Sequence, residues 1–261
     1  MSMLKLMKYE FRKMRTMLII LLAVLFVLEG GFLLGSMNKD EDIQATCLLL
    51  LIILAVVTYI YVMIAGIVSY SRELKDRTGY LVFMAPVRPM GIVASKLLTT
   101  VLAAVGFGAL FGLCAGLDFK YLMDFFGYDR ATWAEMSIAF RVAFAEEGIT
   151  LTQLVLTAVS SIAEMFVSMI ATMCAAYLAI TLSATVMQKR KSFLRGLVSF
   201  LLFCLITTLM SEFSNRFLLP DRAVDVDAAI QMLGFSVLFY VCASAVFAWA
   251  SAALLKRRVS L

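Results

Sequence analysis

The amino-acid sequence predicts an all-α, polytopic membrane protein with six transmembrane helices and both termini in the cytoplasm. Of its 261 residues, 63% are hydrophobic and 16% are charged, and the mean hydropathy is +0.96. A soluble domain usually contains about 45–50% apolar and about 25% charged residues. The apolar residues are gathered in long runs, and the loops between the runs alternate between basic and acidic. We therefore expect the bilayer, and not a soluble core, to cover most of the apolar surface of one membrane domain, residues 1–261.

Six apolar runs are long enough for the roughly 17–25 residues that a transmembrane helix needs. They lie near residues 16–36, 46–70, 92–117, 151–187, 196–218 and 229–255. At about 1.5 Å per residue the fourth run would reach roughly 55 Å, well beyond a hydrocarbon core of about 30 Å. We expect it either to project from the membrane or to break. The fifth run is short and Pro220 follows it, so its outer end is either re-entrant or a plain crossing.

The segment before the first run has the pattern of an amphipathic helix over residues 3–15. One stripe is apolar and the rest of the surface is basic, the two sets being Leu4, Met7, Phe11 and Met14, and Lys5, Lys8, Arg12, Lys13 and Arg15. This pattern is typical of a helix lying in the headgroup plane of a membrane. A secretory signal also begins with basic residues, but no small-residue cleavage site follows here, so we expect the segment to be retained.

The charges of the loops predict the orientation. Basic residues concentrate in the N-terminal segment, in the loop over 71–91 with Lys96, in 188–195 and in 256–258. The intervening loops, around 40–42, 118–147 and 221–227, are acidic. Cytoplasmic loops carry an excess of Lys and Arg. Six spans alternate correctly with this pattern, which is why both termini are expected on the cytoplasmic side.

The longest external loop, 118–150, contains a second amphipathic pattern. Trp133, Met136, Phe140 and Phe144 repeat every three or four residues among charged neighbours. We interpret it as a helix lying on the outer membrane face, with Trp133 at headgroup depth. The alternative is a loop packed directly on the spans.

Small residues and two carboxylates stand out within the spans. Ala104, Gly108, Gly112 and Gly116 recur every fourth position of the third span, which favours close packing against a helix of this chain or of another.

Glu29 in the first span and Glu164 in the fourth would each cost a few kcal/mol in the membrane unless paired, protonated or hydrated. Each is a candidate for a transport pathway. Otherwise each is hydrogen-bonded to a Ser, Thr or Tyr of a neighbouring span, or Glu29 simply lies near the outer interface.

Several classes of enzyme are disfavoured by composition. The chain has no histidine, and its five cysteines lie singly in apolar segments, where reduced, packed thiols are expected: Cys47, Cys114, Cys174, Cys204 and Cys242. Metalloprotease and Ser-His-Asp motifs are therefore impossible. The sequence also lacks a Gly-x-x-x-x-Gly-Lys-Ser/Thr loop for nucleotide phosphates. We expect no catalysis, no metal, no bound cofactor and no nucleic-acid partner.

The most informative loop connects the second and third spans. Charges alternate over residues 72–77, an apolar run follows over 80–84, and Pro86 and Pro89 end the segment. A charged helix with exposed aromatic side chains suits docking to another protein. A helix that anchors in lipid headgroups is the alternative.

These residues resemble the permease subunit of type-2 ATP-binding-cassette (ABC) exporters. The resemblance rests on the N-terminal LKLMKYEFRK, on Arg72, Glu73, Lys75, Arg77, Thr78, Gly79, Tyr80, Leu81 and Pro86, and on Lys96. It implies that a coupling helix inserts into a separate ATPase, which would carry ATP and Mg. That helix would comprise Arg72, Glu73, Leu74, Lys75, Asp76, Arg77, Thr78, Gly79, Tyr80 and Leu81. It also implies two permeases, presumed identical copies, with two ATPases in a bacterial plasma membrane.

The cargo expected from apolar, Met-rich spans is amphipathic or hydrophobic, with a peptide favoured. Two other functions stay open at this point. One is a secondary transporter driven by an ion gradient, with Glu29 and Glu164 as ion sites, although no internal repeat or mid-span proline supports it. The other is a membrane immunity factor that does not transport.

Overall fold

The computed structural model describes residues 3–75, 89–125, 130–146, 150–186, 192–218 and 226–259. These residues form seven α-helices. In chain order they are α1 (Met3–Asn38), α2 (Glu41–Lys75), α3 (Pro89–Phe125), α4 (Arg130–Glu146), α5 (Leu151–Val186), α6 (Ser192–Leu218) and α7 (Val226–Val259).

The all-helical prediction is confirmed for the described residues. Six of the helices, all except α4, are long and apolar enough to cross a membrane, and they coincide with the six predicted runs. The helices extend beyond the predicted spans at most ends, because a span was delimited by its apolar residues and a helix continues through the polar residues that flank it. The side of the membrane on which the termini lie stays a prediction.

One predicted helix boundary is absent from the structure, and one of two alternatives that the sequence left open is excluded. The amphipathic segment 3–15 and the span 16–36 belong to one uninterrupted helix, α1, of 36 residues. The fourth run does not break either, since α5 is continuous over 36 residues. Neither sequence contains a proline, so nothing in the backbone forces an interruption. Residues 219–225, where a re-entrant segment was considered, lie outside the described residues.

A turn of two residues, Lys39 and Asp40, joins α1 to α2. Lys39 adopts a left-handed conformation with φ 55°, and the Asp40 amide donates to the carbonyl of Gly35 at 2.9 Å. This arrangement is a helix C-cap of the Schellman type. The Asp40 carboxylate then accepts from the Ile43 amide at 3.2 Å and caps the N-terminus of α2.

The amphipathic segment predicted within residues 118–150 does contain a helix, α4. The rings of Phe140 and Phe144, one turn apart, stack with centroids 6.0 Å apart. Their contact agrees with the predicted three-to-four residue spacing. Whether α4 lies on the outer membrane face stays a prediction.

The chain divides into two compact units. The first unit contains residues 1–7, 66–98 and 149–261, and the second contains residues 8–65 and 99–148. Thus α1, α2 and α3 each contribute to both units, whereas α5, α6 and α7 belong to the first and α4 to the second. The predicted single domain is neither confirmed nor contradicted by this division.

In the first unit α5 is the central helix. It packs against both α6 and α7. Its buried stretch is rich in small residues, including Ala171, Ala175, Ala176 and Ala179, and these allow neighbouring helices to approach closely. In the most apolar 18-residue stretch of α5 half of the residues are buried inside the chain, whereas in that of α6 6% are buried. Most apolar side chains of α6 are therefore exposed or half-buried within this chain, which is typical of a helix in lipid.

In the second unit α1 and α2 approach each other near their shared turn. A Cβ on Gly35 would lie 3.0 Å from the Gln44 amide nitrogen, and a Cβ on Gly31 would lie 2.9 Å from the Cys47 sulfur. The two glycines are four residues apart, the spacing of a small-xxx-small contact. This contact was not predicted, although its spacing is visible in the sequence.

Candidate functional site

The end of α2 and the start of α3 are joined by a buried ion pair. The Lys96 ammonium lies 3.0 Å from a Glu73 carboxylate oxygen, and it donates to the Ser69 hydroxyl at 3.0 Å. The Lys96 side chain is 2% exposed and that of Glu73 is 10% exposed. A buried charge is tolerated only when it is paired and hydrogen-bonded. The contact therefore fixes the two helix ends that flank the loop between α2 and α3.

The same end of α2 is attached to α5 through aromatic residues. The Tyr70 and Tyr177 rings stack with centroids 4.2 Å apart. The hydroxyls of Tyr70 and Thr181 are 2.7 Å apart, and the Tyr177 hydroxyl donates to the Gly66 carbonyl at 3.3 Å. Tyr70, Tyr177 and Thr181 are all buried. We refer to Ser69, Tyr70, Glu73, Lys96, Tyr177 and Thr181 as the anchor cluster.

The predicted coupling residues fall partly within the described structure. Arg72 is exposed, Glu73 belongs to the anchor cluster, Leu74 is buried and Lys75 is the last residue of α2. The remaining predicted residues, Asp76, Arg77, Thr78, Gly79, Tyr80 and Leu81, lie outside the described residues. Of these residues, Arg72 faces outward, and Glu73 and Leu74 hold the end of the helix in place.

Next to the anchor cluster the first unit contains an apolar cavity of about 320 Å³. Residues of α2, α5 and α6 line it, and its polar groups include Ser71, Ser183, Ser199 and Arg195. A volume of this size lies at the lower end of the range for small-molecule pockets, about 300–1,000 Å³. Leu74 borders both the cavity and the end of α2, so a displacement of that end would change the shape of the cavity.

Glu164 is hydrogen-bonded within the first unit. The Ser236 hydroxyl of α7 donates to a Glu164 carboxylate oxygen. This contact is the one expected if Glu164 is held by a serine of a neighbouring span.

Glu29 has a different environment, in the second unit. Its carboxyl group interacts with the Asp118 carboxyl and the Cys114 thiol of α3. One oxygen of Glu29 and one of Asp118 are buried and have no hydrogen-bond partner among the described residues. Asp118 is 4% exposed. Glu29 therefore interacts with a second acid, Asp118, and not with the Ser, Thr or Tyr that was one of the alternatives. Sequence analysis had assigned Asp118 only to the predicted acidic external loop.

The predicted stripe of small residues on α3 has two kinds of environment. Ala104 is buried, whereas a Cβ on Gly112 or Gly116 would meet no described atom within 4 Å. Close packing at these two glycines against a helix of this chain is therefore not observed. Packing against a helix of another chain stays a prediction.

The described residues contain no group of three or more His, Cys, Asp or Glu side chains that could hold a metal ion.

Sequence analysis did not identify Tyr70, Tyr177 and Thr181 of the anchor cluster. Each is a polar group within an apolar run, and that signal is shared by many residues that only pack.

Comparisons of the chain with protein-family models, with curated proteins and with solved structures gave no match.

Proposed function

We propose that this chain is the permease subunit of an ABC exporter. It forms the membrane pathway for an amphipathic or hydrophobic cargo, with a peptide favoured, and a separate ATPase subunit supplies the energy. Two copies of the chain assemble with two ATPases in a bacterial plasma membrane. Both termini and the loop between α2 and α3 face the cytoplasm.

The observation that carries this proposal is the anchor cluster beside the charged loop. A segment that receives force from an ATPase must be attached rigidly to the spans, or the force only bends the segment. Lys96 ties α2 to α3 at 3.0 Å, and the Tyr70–Tyr177 stack ties α2 to α5. A push on the loop would therefore move three helix segments together. Such a rigid connection suits the transmission of ATPase closure to the spans.

The cavity beside Leu74 supports the nature of the cargo. Its lining is largely apolar, with a few serines and Arg195. A pocket of this composition suits an apolar side chain or a lipid-like tail better than a sugar or an ion. Movement of α2 would open or close it, which links the coupling end of the helix to the cargo.

The test separates the exposed coupling residue from the anchor. Arg72→Ala with Arg77→Ala removes one cation at the end of α2 and one of the segment that follows it, and leaves the Glu73–Lys96 pair intact. We expect normal insertion and stability, together with loss of cargo-stimulated ATP hydrolysis in proteoliposomes that hold the chain and its ATPase.

The matched control is Arg216→Ala, because Arg216 is an exposed arginine near the end of α6 whose only described contact is with Glu212 at 3.7 Å. The control should keep full stimulation. Unchanged stimulation in the Arg72 and Arg77 variant would contradict the proposed coupling role.

A second candidate function is a transporter driven by an ion gradient, favoured by the Glu29–Asp118 carboxyl pair. Two neighbouring acids on different spans can bind a proton or a cation. Transport in vesicles distinguishes the candidates, since an ionophore abolishes ion-driven uptake and leaves ATP-driven export intact. We expect dependence on ATP; transport that stops with an ionophore or with Glu29→Gln would favour the second candidate.

A further inference from the structure

A groove between α1 and α3 in the second unit has a cationic end and an apolar body. Its volume is about 480 Å³. Three basic side chains line one end, Lys8, Arg12 and Arg15, and the remaining lining is apolar. No acidic side chain is among the described residues that line it. The groove is separate from the anchor cluster and from the cavity beside Leu74, both of which belong to the first unit.

The three basic residues lie on one face of α1. Lys8, Arg12 and Arg15 are spaced by four and three residues, so successive side chains lie one turn apart. At about 1.5 Å per residue the distance from Lys8 to Arg15 along the helix is roughly 10 Å. Phe11 lies among the three cations, and Leu18 and Leu22 continue the same face into the apolar body. The face thus changes from cationic to apolar within the first turns of a long apolar helix.

The charges of this end are not neutralised by the described part of the chain. Lys8, Arg12 and Arg15 are exposed and make no hydrogen bond or ion pair with another described residue. The nearby acid of α1, Glu10, is buried and lies 3.6 Å from Lys13, which is not part of the groove. Three cations without a counter-charge therefore surround the polar end of an apolar groove.

The wall of the groove formed by α3 leaves room for a ligand. Gly106 of α3 lines the groove, and a Cβ there would meet no described atom within 4 Å. Leu102, Phe107 and Leu110 complete that wall. Along α1 the groove extends from Lys8 to Leu22, roughly 20 Å at about 1.5 Å per residue. That length exceeds half of a hydrocarbon core of about 30 Å, so an acyl chain fits along it.

We propose that this groove binds an anionic glycerophospholipid. The phosphate-bearing headgroup lies among Lys8, Arg12 and Arg15, and one acyl chain lies along α1 against Gly106. Charge complementarity selects an anionic headgroup over a zwitterionic one, since basic pockets between transmembrane helices recognise such headgroups. The apolar body selects a lipid over a free anion. Lipid binding at this site does not require an ATPase, so its test is independent of the test of the proposed function.

Native mass spectrometry of the full chain, titrated with phosphatidylglycerol or phosphatidylcholine, tests the proposal. One Lys or Arg near an anionic surface strengthens binding by about fivefold, so three give up to roughly a hundredfold. We expect at least a tenfold tighter binding of phosphatidylglycerol. Lys8→Gln with Arg12→Gln and Arg15→Gln should remove that preference, and Lys5→Gln, an exposed lysine outside the groove, should keep it.

Because the three cations also contribute to the predicted orientation, a second variant leaves every charge in place. Gly106→Leu fills the apolar body and should weaken phosphatidylglycerol binding at least tenfold. Gly234→Leu is its matched control, since Gly234 is an exposed helical glycine of α7 whose Cβ would also meet no described atom within 4 Å. It should bind like the unaltered chain.

Three kinds of result would overturn the proposal. The first is a failure of the expected binding differences, either equal binding of the two lipids or undiminished binding of phosphatidylglycerol by Gly106→Leu. The second is displacement of phosphatidylglycerol by an equal concentration of inorganic phosphate, which would mean that the site takes only an anion. The third is a photocrosslinker at Leu22 that reacts with a second copy of this chain and not with lipid, which would mean that protein covers the groove.

Discussion

Lys96 and Glu73 bring opposite charges together in the first unit, whereas Glu29 and Asp118 bring two acids together in the second. Both groups are largely shielded from solvent. The Lys96 ammonium has a carboxylate and a hydroxyl within 3.0 Å. In the acidic pair one oxygen of each residue has no described partner. The first group is satisfied by the chain itself, and the second requires a proton, a cation or a neighbour from outside the described residues.

The two units also differ in how their helices are held together. In the first unit side chains connect α2, α3 and α5 through an ion pair, a ring stack and hydroxyl contacts. In the second unit α1 and α2 are joined by close approach at two glycines, Gly35 against the Gln44 backbone and Gly31 against the Cys47 side chain. The difference places the buried ion pair and the ring stack beside the loop that we propose receives force. The second unit contains the proposed lipid groove.

The largest effect on stability is expected for Lys96→Met, which leaves the Glu73 carboxylate buried without its cation. Breaking a buried pair in this way costs about 3–5 kcal/mol. For a chain of this size that corresponds to a fall in Tm of about 10 °C. Thermal unfolding in detergent measures it, with Lys5→Met as the exposed control. Adding Glu73→Met should restore most of the loss; a Tm unchanged by Lys96→Met would contradict the anchor role.

The next effect concerns the backbone contact of the second unit. Gly35→Ala places a Cβ 3.0 Å from the Gln44 nitrogen, and overpacking of this kind typically costs about 1–3 kcal/mol. Gly30→Ala is the matched control, because a Cβ there meets no described atom within 4 Å. The control should gain up to about 1 kcal/mol from helix propensity. Equal unfolding temperatures for the two variants would show that α1 and α2 are not in close contact.

Glu29→Gln should act with the opposite sign to Lys96→Met. Removing one of two neighbouring acids relieves a repulsion of about 1 kcal/mol, so Tm should rise by about 2–4 °C. Glu135→Gln, an exposed acid of α4, serves as the control and should leave Tm unchanged. If Glu29→Gln lowers Tm as Lys96→Met does, a cation partner holds the Glu29 carboxylate, and the contrast between the two units disappears.

The smallest effect is expected for Tyr70→Phe. The variant keeps the ring stack on Tyr177 and loses the contact with the Thr181 hydroxyl, which also donates to the Tyr177 carbonyl at 2.7 Å. A single hydrogen bond contributes about 0.5–1.5 kcal/mol, and we expect the lower end. Tyr240→Phe provides the control. A loss as large as that of Lys96→Met would mean that the hydroxyl, and not the ion pair, holds the end of α2.

Local sequence patterns were sufficient for the six apolar helices and for α4. Apolar run length identifies a span whatever its neighbours are, and the spacing of Phe140 and Phe144 is itself a helical signal. The continuity of α1 was not predictable from the same patterns. A change from amphipathic to apolar residues marks a change of surroundings, and it does not require a break in the backbone hydrogen bonds.

Partners of buried groups were harder to predict, because they depend on which helices are adjacent. Glu29 was recognised as a costly charge, but its neighbour Asp118 lies in a different helix and had been assigned to a loop. Glu73 was selected for its place in a charged segment, although its carboxylate is occupied by Lys96. The four-residue spacing of Gly31 and Gly35 is visible in the sequence. Only the structure shows that Gly35 lies close to Gln44 of the next helix.

The central claim is that this chain works with a separate ATPase. The most direct measurement is the mass of the complex purified in detergent after co-expression with each ABC-type ATPase of the same genome. We predict a complex of two copies of this chain and two ATPases, which the Arg72→Ala and Arg77→Ala variant should fail to form at full yield. Recovery of this chain alone, stable and without a bound ATPase, would contradict the claim.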